Sequence, residues 1–190
     1  MTKSKSVGRV RPEAVSHQSE QVPRPLCDIV DIVSGFGFPK DKQGKVEGEL
    51  PFFKVGDISS AWKNGQKKLR QAQHYIDNSE AKVIKARPFP KGTVVFAKIG
   101  EAIKLNRRAI LGQPSIIDNN VMGLIPRDGV VDGGYLFYWT LTLRLGDISQ
   151  ATTVPSVRKS DVEQLAFPWV PLEQQKRIVA EIEKQFSRLD

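Results

Sequence analysis

Apolar residues gather in three short runs in the middle of the chain: Val94-Val95-Phe96, Ala109-Ile110-Leu111 and Val121-Met122-Gly123-Leu124-Ile125. Turn signals bound them at Lys91-Gly92, Gly112-Gln113-Pro114 and Pro126. Short β-branched or aromatic runs between Gly and Pro read as strands. Between the first two runs, Ala102-Ile103-Lys104-Leu105-Asn106 alternates apolar and polar. As a strand it puts Ile103 and Leu105 on a packed face and Lys104 and Asn106 on the other, with Arg107 and Arg108 directly after. Residues 51–58, Pro-Phe-Phe-Lys-Val-Gly-Asp-Ile, read as a further strand leading into a turn.

Helical spacing appears elsewhere. Leu26, Ile29, Val30 and Val33 share one helical face and leave Asp28 and Asp31 outside it, so 26–33 reads as a helix ended by Ser34-Gly35. Gly35-Phe36-Gly37-Phe38-Pro39 reads as a turn with two packed phenylalanines. A nucleotide loop needs a helix straight after its glycines, and a polar loop follows here. Residues 132–146 are almost continuously apolar and suit a buried helix capped by Gly146, with a buried strand as the alternative. Ser160 and Glu163 fit a capping box, and Pro171 suits the first position of a last helix. Leu172, Gln175, Val179, Ile182, Phe186 and Leu189 then follow at alternating spacings of three and four, a coiled-coil seam with one polar member. Fewer than three heptads fit, too few for a helix to stand alone. The seam therefore docks on its own domain or pairs with a partner.

These elements predict an α/β fold of the α+β kind: a twisted, mostly antiparallel sheet with peripheral helices and a protruding C-terminal coiled-coil helix. Residues 1–24 carry few large apolar groups, five basic and two acidic ones, and read as a disordered basic tail. The folded domain spans 25–170, and the helix starts at 171.

Composition narrows the class. No run approaches the ~20 apolar residues of a membrane span, and the N-terminus lacks the apolar core of a secretory signal. One cysteine, Cys27, allows no internal disulfide, which fits the cytoplasm. With only two histidines besides, a Cys/His zinc site finds no ligand set. The formal net charge is +8, and 54–108 alone carries +9, from thirteen Lys or Arg against four acids. Such a concentration points to a polyanion, usually nucleic acid. Lys63, Lys67, Lys68 and Arg70 are interleaved with Trp62 and Tyr75, a pattern that contacts phosphates and stacks on bases. The same aromatics also suit a core or its rim. Lys54 lies just upstream, and Lys98, Lys104, Asn106, Arg107 and Arg108 fall near the polar face or edge of the central sheet.

Several segments together resemble the specificity subunit of type I restriction–modification systems. They are residues 51–58, Lys91-Gly92-Thr93-Val94-Val95-Phe96-Ala97-Lys98-Ile99-Gly100, Thr153-Val154-Pro155-Ser156-Val157, Phe167-Pro168, and Pro171-Leu172-Glu173-Gln174-Gln175-Lys176-Arg177-Ile178-Val179. Their order and spacing match from Leu26 to Asp190. The resemblance implies a target-recognition domain over 25–170 and the opening turns of a long conserved helix over 171–190. It implies a non-catalytic, cytoplasmic subunit that binds double-stranded DNA and positions modification (methyltransferase) and restriction subunits on one half of a bipartite target. S-adenosylmethionine, ATP and Mg²⁺ would serve those other subunits, and this chain would hold no cofactor and no metal. The DNA-binding candidates are then Lys54, Lys63, Asn64, Lys67, Lys68, Arg70, Lys98, Lys104, Asn106, Arg107 and Arg108, with Gln66 beside them; arginine suits guanine and asparagine adenine. Leu172, Val179, Ile182, Phe186 and Leu189 would face a partner helix or a second copy of the chain. One recognition domain and one helix start fit a fragment, a truncated product or a half-subunit.

Three other classes meet obstacles. A Mg²⁺-dependent nuclease could draw on Asp57, Glu80 and Lys82, but Glu80-Ala81-Lys82 lies in a helix-favouring run where adjacent strand positions are needed. A methyltransferase needs an Asn/Asp-Pro-Pro-aromatic loop, which is absent from the sequence. A protein-interaction module with a basic surface predicts no DNA affinity even at low salt.

Overall fold

A computed structural model describes residues 22–150 and 154–188. Strand β1 (Val22–Pro25) leads through a 3₁₀ turn (Leu26–Asp28) to β2 (Val30–Ser34), β3 (Leu50–Phe53), helix α1 (Val55–Lys63), β4 (Lys68–Leu69), β5 (Tyr75–Ile76) and helix α2 (Asn78–Val83). Strands β6 (Val94–Ala97), β7 (Arg108–Leu111), β8 (Ile116–Ile117) and β9 (Val121–Pro126) come next, then helices α3 (Gly133–Leu141), α4 (Leu145–Ile148) and α5 (Lys159–Glu163). Strand β10 (Ala166–Trp169) and helix α6 (Leu172–Phe186) end the described chain.

The three apolar runs are β6, β7 and β9, as expected. They form the middle of a five-stranded sheet of order β2-β9-β6-β7-β4, antiparallel except where β4 runs parallel to β7. Side chains on a strand alternate between faces, and here the alternation feeds two cores. Val94, Phe96, Ile110, Met122 and Leu124 point to one core, with the aromatic face of α3. Val95, Ala109, Leu111 and Val121 point to the other, against Ile58 and Ala61 of α1. A sheet covered on both faces reads as near-continuous apolar sequence, and each large side chain so buried contributes about 1.5–3 kcal/mol. A smaller sheet, β5-β3-β8, packs Leu50, Phe52, Ile76 and Ile116 with Ala81 of α2. The glycine turn holds its two phenylalanines as expected: Phe36 meets Phe89 edge-on at 6.3 Å and Phe38 meets Phe52 at 4.6 Å. Gly35 leaves no alternative there, because a Cβ would stand 2.2 Å from the Ile117 and Asp118 carbonyl oxygens.

Several boundaries differ from the sequence expectations. Residues 26–33 are a 3₁₀ turn and a strand, since Val30 and Ile32 bury on one face and Asp31 stays exposed while β2 pairs with β9. Eight residues are too few to separate the two periods. The alternating segment 102–106 is a 3₁₀ turn (Glu101–Ile103) followed by more turn, whose N–H groups bond locally to Gly100, Glu101 and Ile103. Leu105 is therefore exposed. The strand at 51–58 stops at Phe53, where the Asp57 carboxylate accepts the Lys54 N–H and starts α1. Helix α3 exists, with the Asp132 carboxylate capping it at Tyr135 N, but it ends at Leu141, and Gly146 lies inside α4. Helix α5 begins at Lys159, so Ser160 is no cap, and Pro171 flanks α6 one position outside it. Residues 22–24 of the expected tail run as β1, antiparallel to β10, with Arg24 stacked 3.9 Å over Trp169. Residues 1–21 lie outside the described residues.

Helix α6 does not stand free. Gln175, fully buried, accepts from Asp132 N at 2.8 Å and donates to the Val130 and Val170 carbonyls at 3.0 and 2.7 Å. Val179 rests on Gly134, Ile182 packs at the core edge, and Phe186 stacks at 6.2 Å on Tyr138 while half-exposed. The polar member of the seam thus faces the helix's own domain. Among the partner-helix candidates, Leu172 is partly buried, and Leu189 lies outside the described residues.

Candidate nucleic-acid interface

Helix α1 ends where the chain needs a reversal. Gly65 adopts φ +67, and the Gly65 and Gln66 N–H groups bond back to the Trp62 and Ala61 carbonyls. The chain then joins the sheet as its edge strand: Lys68 pairs with Ile110 and Leu69 with Leu111. Leu69 anchors the strand in the core, and alternation turns Lys68 to solvent. Between the end of α1 and β4 lies a groove of about 890 Å³ lined by Asn64, Gln66, Lys67, Lys68 and Arg70, with Glu183 of α6 on its wall. Asn64, Gln66, Lys68 and Arg70 are exposed. No side-chain partner holds them among the described residues, so their donors are free for a ligand. Lys63 is exposed at the last position of α1, outside the groove lining.

Lys67 is held in place. Its ammonium donates to the Tyr138 hydroxyl at 2.7 Å and lies 5.1 and 5.0 Å from the Tyr138 and Phe186 ring centres. The Tyr138 hydroxyl in turn reaches Glu183 at 3.3 Å. Trp62, part-exposed, lines an apolar slot beside this cluster with Phe137 and Leu141. Tyr75 is half-buried, and its hydroxyl accepts from Ala72 N. It is a rim residue.

The second group of candidates lies apart from the groove. Arg108 occupies β7, an inner strand, and is 1% exposed. Its Nη1 donates to the Asn106 carbonyl and its Nη2 to the Leu143 carbonyl, both at 2.6 Å. Leu143 follows the C-terminal end of α3, where carbonyl dipoles favour a cation. Burial pushes the guanidinium down to about 10, so it stays charged at neutral pH. Its Nε has no partner among the described residues. Asn106, at φ +54, donates to the Leu143 carbonyl and accepts the Leu145 N–H. Arg108 and Asn106 clamp the turn between α3 and α4, and neither faces outward to read DNA. Lys104 is exposed and paired with Glu101 at 2.9 Å, Lys98 donates to the Ser34 hydroxyl, and the Lys54 ammonium sits 3.8 Å over the Phe38 ring. Arg107 is partly exposed.

The acids of the nuclease reading have structural tasks. Asp57 starts α1. Glu80 caps α2 by accepting Asp77 N and pairs with Lys42 and Lys45 at 2.9 and 3.0 Å. Those hydrogen bonds hold its carboxyl at about 2. Among the described residues no group of three His, Cys, Asp or Glu gathers to hold a metal.

A family model for the type I restriction modification DNA specificity domain matches residues 19–189. The type I restriction enzyme MjaIX specificity subunit of Methanocaldococcus jannaschii is 30% identical over 117 residues, 58% of this chain and 26% of that protein. Two solved structures are similar. The HsdS subunit from Thermoanaerobacter tengcongensis has TM-score 0.64 and 19% identity over 93% of this chain and 40% of its own. The S subunit from M. genitalium has TM-score 0.62 and 14% identity over 92% and 41%. The chain therefore spans less than half the length of these relatives.

Proposed function

The chain belongs to the type I restriction–modification DNA specificity family, and from that premise we propose that it reads one half of a bipartite double-stranded DNA target. The observation that supports this reading is the groove between α1 and β4, where Asn64, Gln66, Lys68 and Arg70 are exposed and unpaired. Lys68 and Arg70 supply salt-dependent phosphate affinity, and Asn64, Gln66 and Arg70 have the donors that distinguish base edges in a major groove. The domain performs no chemistry itself. It places modification and restriction subunits on DNA in the cytoplasm, and S-adenosylmethionine, ATP and Mg²⁺ act through them. The recognition domain extends to residue 170 and takes its first strand, β1, from the end of the basic tail, and 171–190 start the conserved helix. Because α6 is pinned to the domain by Gln175, it fixes the direction in which that helix leaves. A partner helix, or a second copy, then meets the seam from Phe186 onward.

Affinity selection from random duplex DNA at low salt, without Mg²⁺, tests the reading with the chain alone and with a modification subunit. An enriched motif of three or four base pairs is the expected result. Salt-sensitive binding with no enriched motif in either run contradicts it.

A further inference from the structure

We infer that a cleft adjoining the groove seats a backbone phosphate of bound DNA through Lys91 and Lys68, an inference that rests on the DNA-recognition reading above. The cleft holds about 320 Å³ and shares Lys67, Lys68 and Glu183 with the groove; Lys91 is its third cation. Lys91 lies far in sequence from the basic residues of the groove. Backbone pairing brings it there. In the Pro90–Thr93 turn, Gly92 adopts φ +91 and the Thr93 N–H and hydroxyl both donate to the Pro90 carbonyl. Gly92 N donates to the Leu111 carbonyl at 2.9 Å, and Gly112 N to the Leu69 carbonyl at 2.8 Å. The Lys91 turn, β7 and the Lys68 strand are thus bonded side by side.

Gly92, Gly112, Gly133 and Gly134 line the cleft between them, with Phe137, Tyr138 and Val179 beside. A Cβ at Gly112 would stand 2.7 Å from the Leu69 carbonyl oxygen, and one at Gly133 would stand 3.3 Å from that of Gly92. The glycines thus let the backbone segments that carry the two lysines approach closely, and both lysines line one cleft. Three lysines and two carboxylates, Asp132 and Glu183, line the cleft, which leaves it one net positive charge. Asp132 accepts the Tyr135 N–H, Glu183 accepts from the Tyr138 hydroxyl, and Lys67 donates to that same hydroxyl. Lys68 and Lys91 remain exposed, with no partner among the described residues. Two free cations lining one cleft suit a small, doubly bridged oxyanion. The adjoining groove makes the phosphate of the same duplex the available source.

The test is the salt dependence of duplex binding by the full chain and its Lys91→Ala variant, read by fluorescence anisotropy. Each lost phosphate contact removes about 0.9 from the slope of log K against log salt. The variant is expected to bind several-fold more weakly at low salt, to show a slope shallower by about 0.9, and to keep the wild-type motif preference and thermal midpoint. An unchanged slope overturns the inference while leaving the DNA reading intact. So does an unchanged slope combined with weaker capture of a modification subunit, which assigns the cleft to an acidic protein segment. Absence of salt-dependent duplex binding in the wild type overturns the DNA reading, and the inference falls with it.

Discussion

Two segments of this chain carry almost the same chemistry and meet opposite fates. Residues 63–70 and 104–108 each combine lysine, arginine and an asparagine within a few positions. The first follows a helix end and becomes the edge strand of the sheet, so Lys68 and Arg70 stay in solvent beside an open groove. The second leads into an inner strand, where Arg108 is enclosed and Asn106 is spent on the turn after α3. A strand's place in the sheet, more than its side chains, decides whether a basic residue meets a partner or holds the fold.

Substitution at Arg108 should break this contrast most severely. Arg108→Met removes a buried guanidinium and its hydrogen bonds to two carbonyls and should cost about 3 kcal/mol, a fall in midpoint of roughly 6–12 °C for a chain of this size. Thermal unfolding measures it. Lys cannot span both carbonyls, so Arg108→Lys should recover only part of the loss. If Arg108→Met unfolds like wild type yet binds DNA poorly, the structural assignment of this residue is wrong.

The groove should show the reverse. Lys68→Ala with Arg70→Ala should leave stability within about 0.5 kcal/mol and weaken duplex binding roughly tenfold or more at moderate salt, through two lost phosphate contacts. Asn64→Ala should act on selectivity: if its amide reads a base, discrimination at one base pair drops by about 1–3 kcal/mol, visible as one relaxed position in the selected motif.

Acid sharpens the contrast without touching either segment. Glu80 is held at about 2 against an ordinary 4.5, by the Asp77 N–H and then by Lys42 and Lys45. A depressed carboxyl contributes stability that is fully present above 4.5 and fades as pH falls toward 2. In Glu80→Gln the loss of stability over that window should be smaller, as followed by circular dichroism. The smallest effect belongs to Lys104→Ala. An exposed pair such as Lys104–Glu101 adds at most a fraction of a kcal/mol, so both stability and DNA affinity should match wild type.

Much of the fold was legible because the central strands are buried on both faces and bounded by turns. Val94–Phe96, Ala109–Leu111 and Val121–Ile125 could be read without knowing their partners. The misread segments are short. In 26–33 Leu26, Ile29, Val30 and Val33 satisfy a helix while Val30 and Ile32 satisfy a strand, and pairing with β9 settles it. In 102–106 the alternation is real, but the backbone bonds to itself. The cluster at 63–70 could be named from sequence because its members are neighbours. Lys91 could not, because only the pairing of Gly92 with Leu111 brings it beside Lys68. Burial of Arg108 also had no local signal, since nothing in Arg107-Arg108 says which of the two faces inward. The seam of α6 was visible with Gln175 as its one polar member, but the sequence did not show that this residue joins the helix to its own domain.

The most direct test is lysine-acylation footprinting of the whole chain with and without duplex DNA, resolved residue by residue by mass spectrometry. Lys68 and Lys104 are both exposed and lie in the two contrasted segments, so one experiment reads both. The account predicts that DNA protects Lys68 and leaves Lys104 as reactive as before. Protection of Lys104 with Lys68 unchanged would place the duplex away from the groove and contradict it.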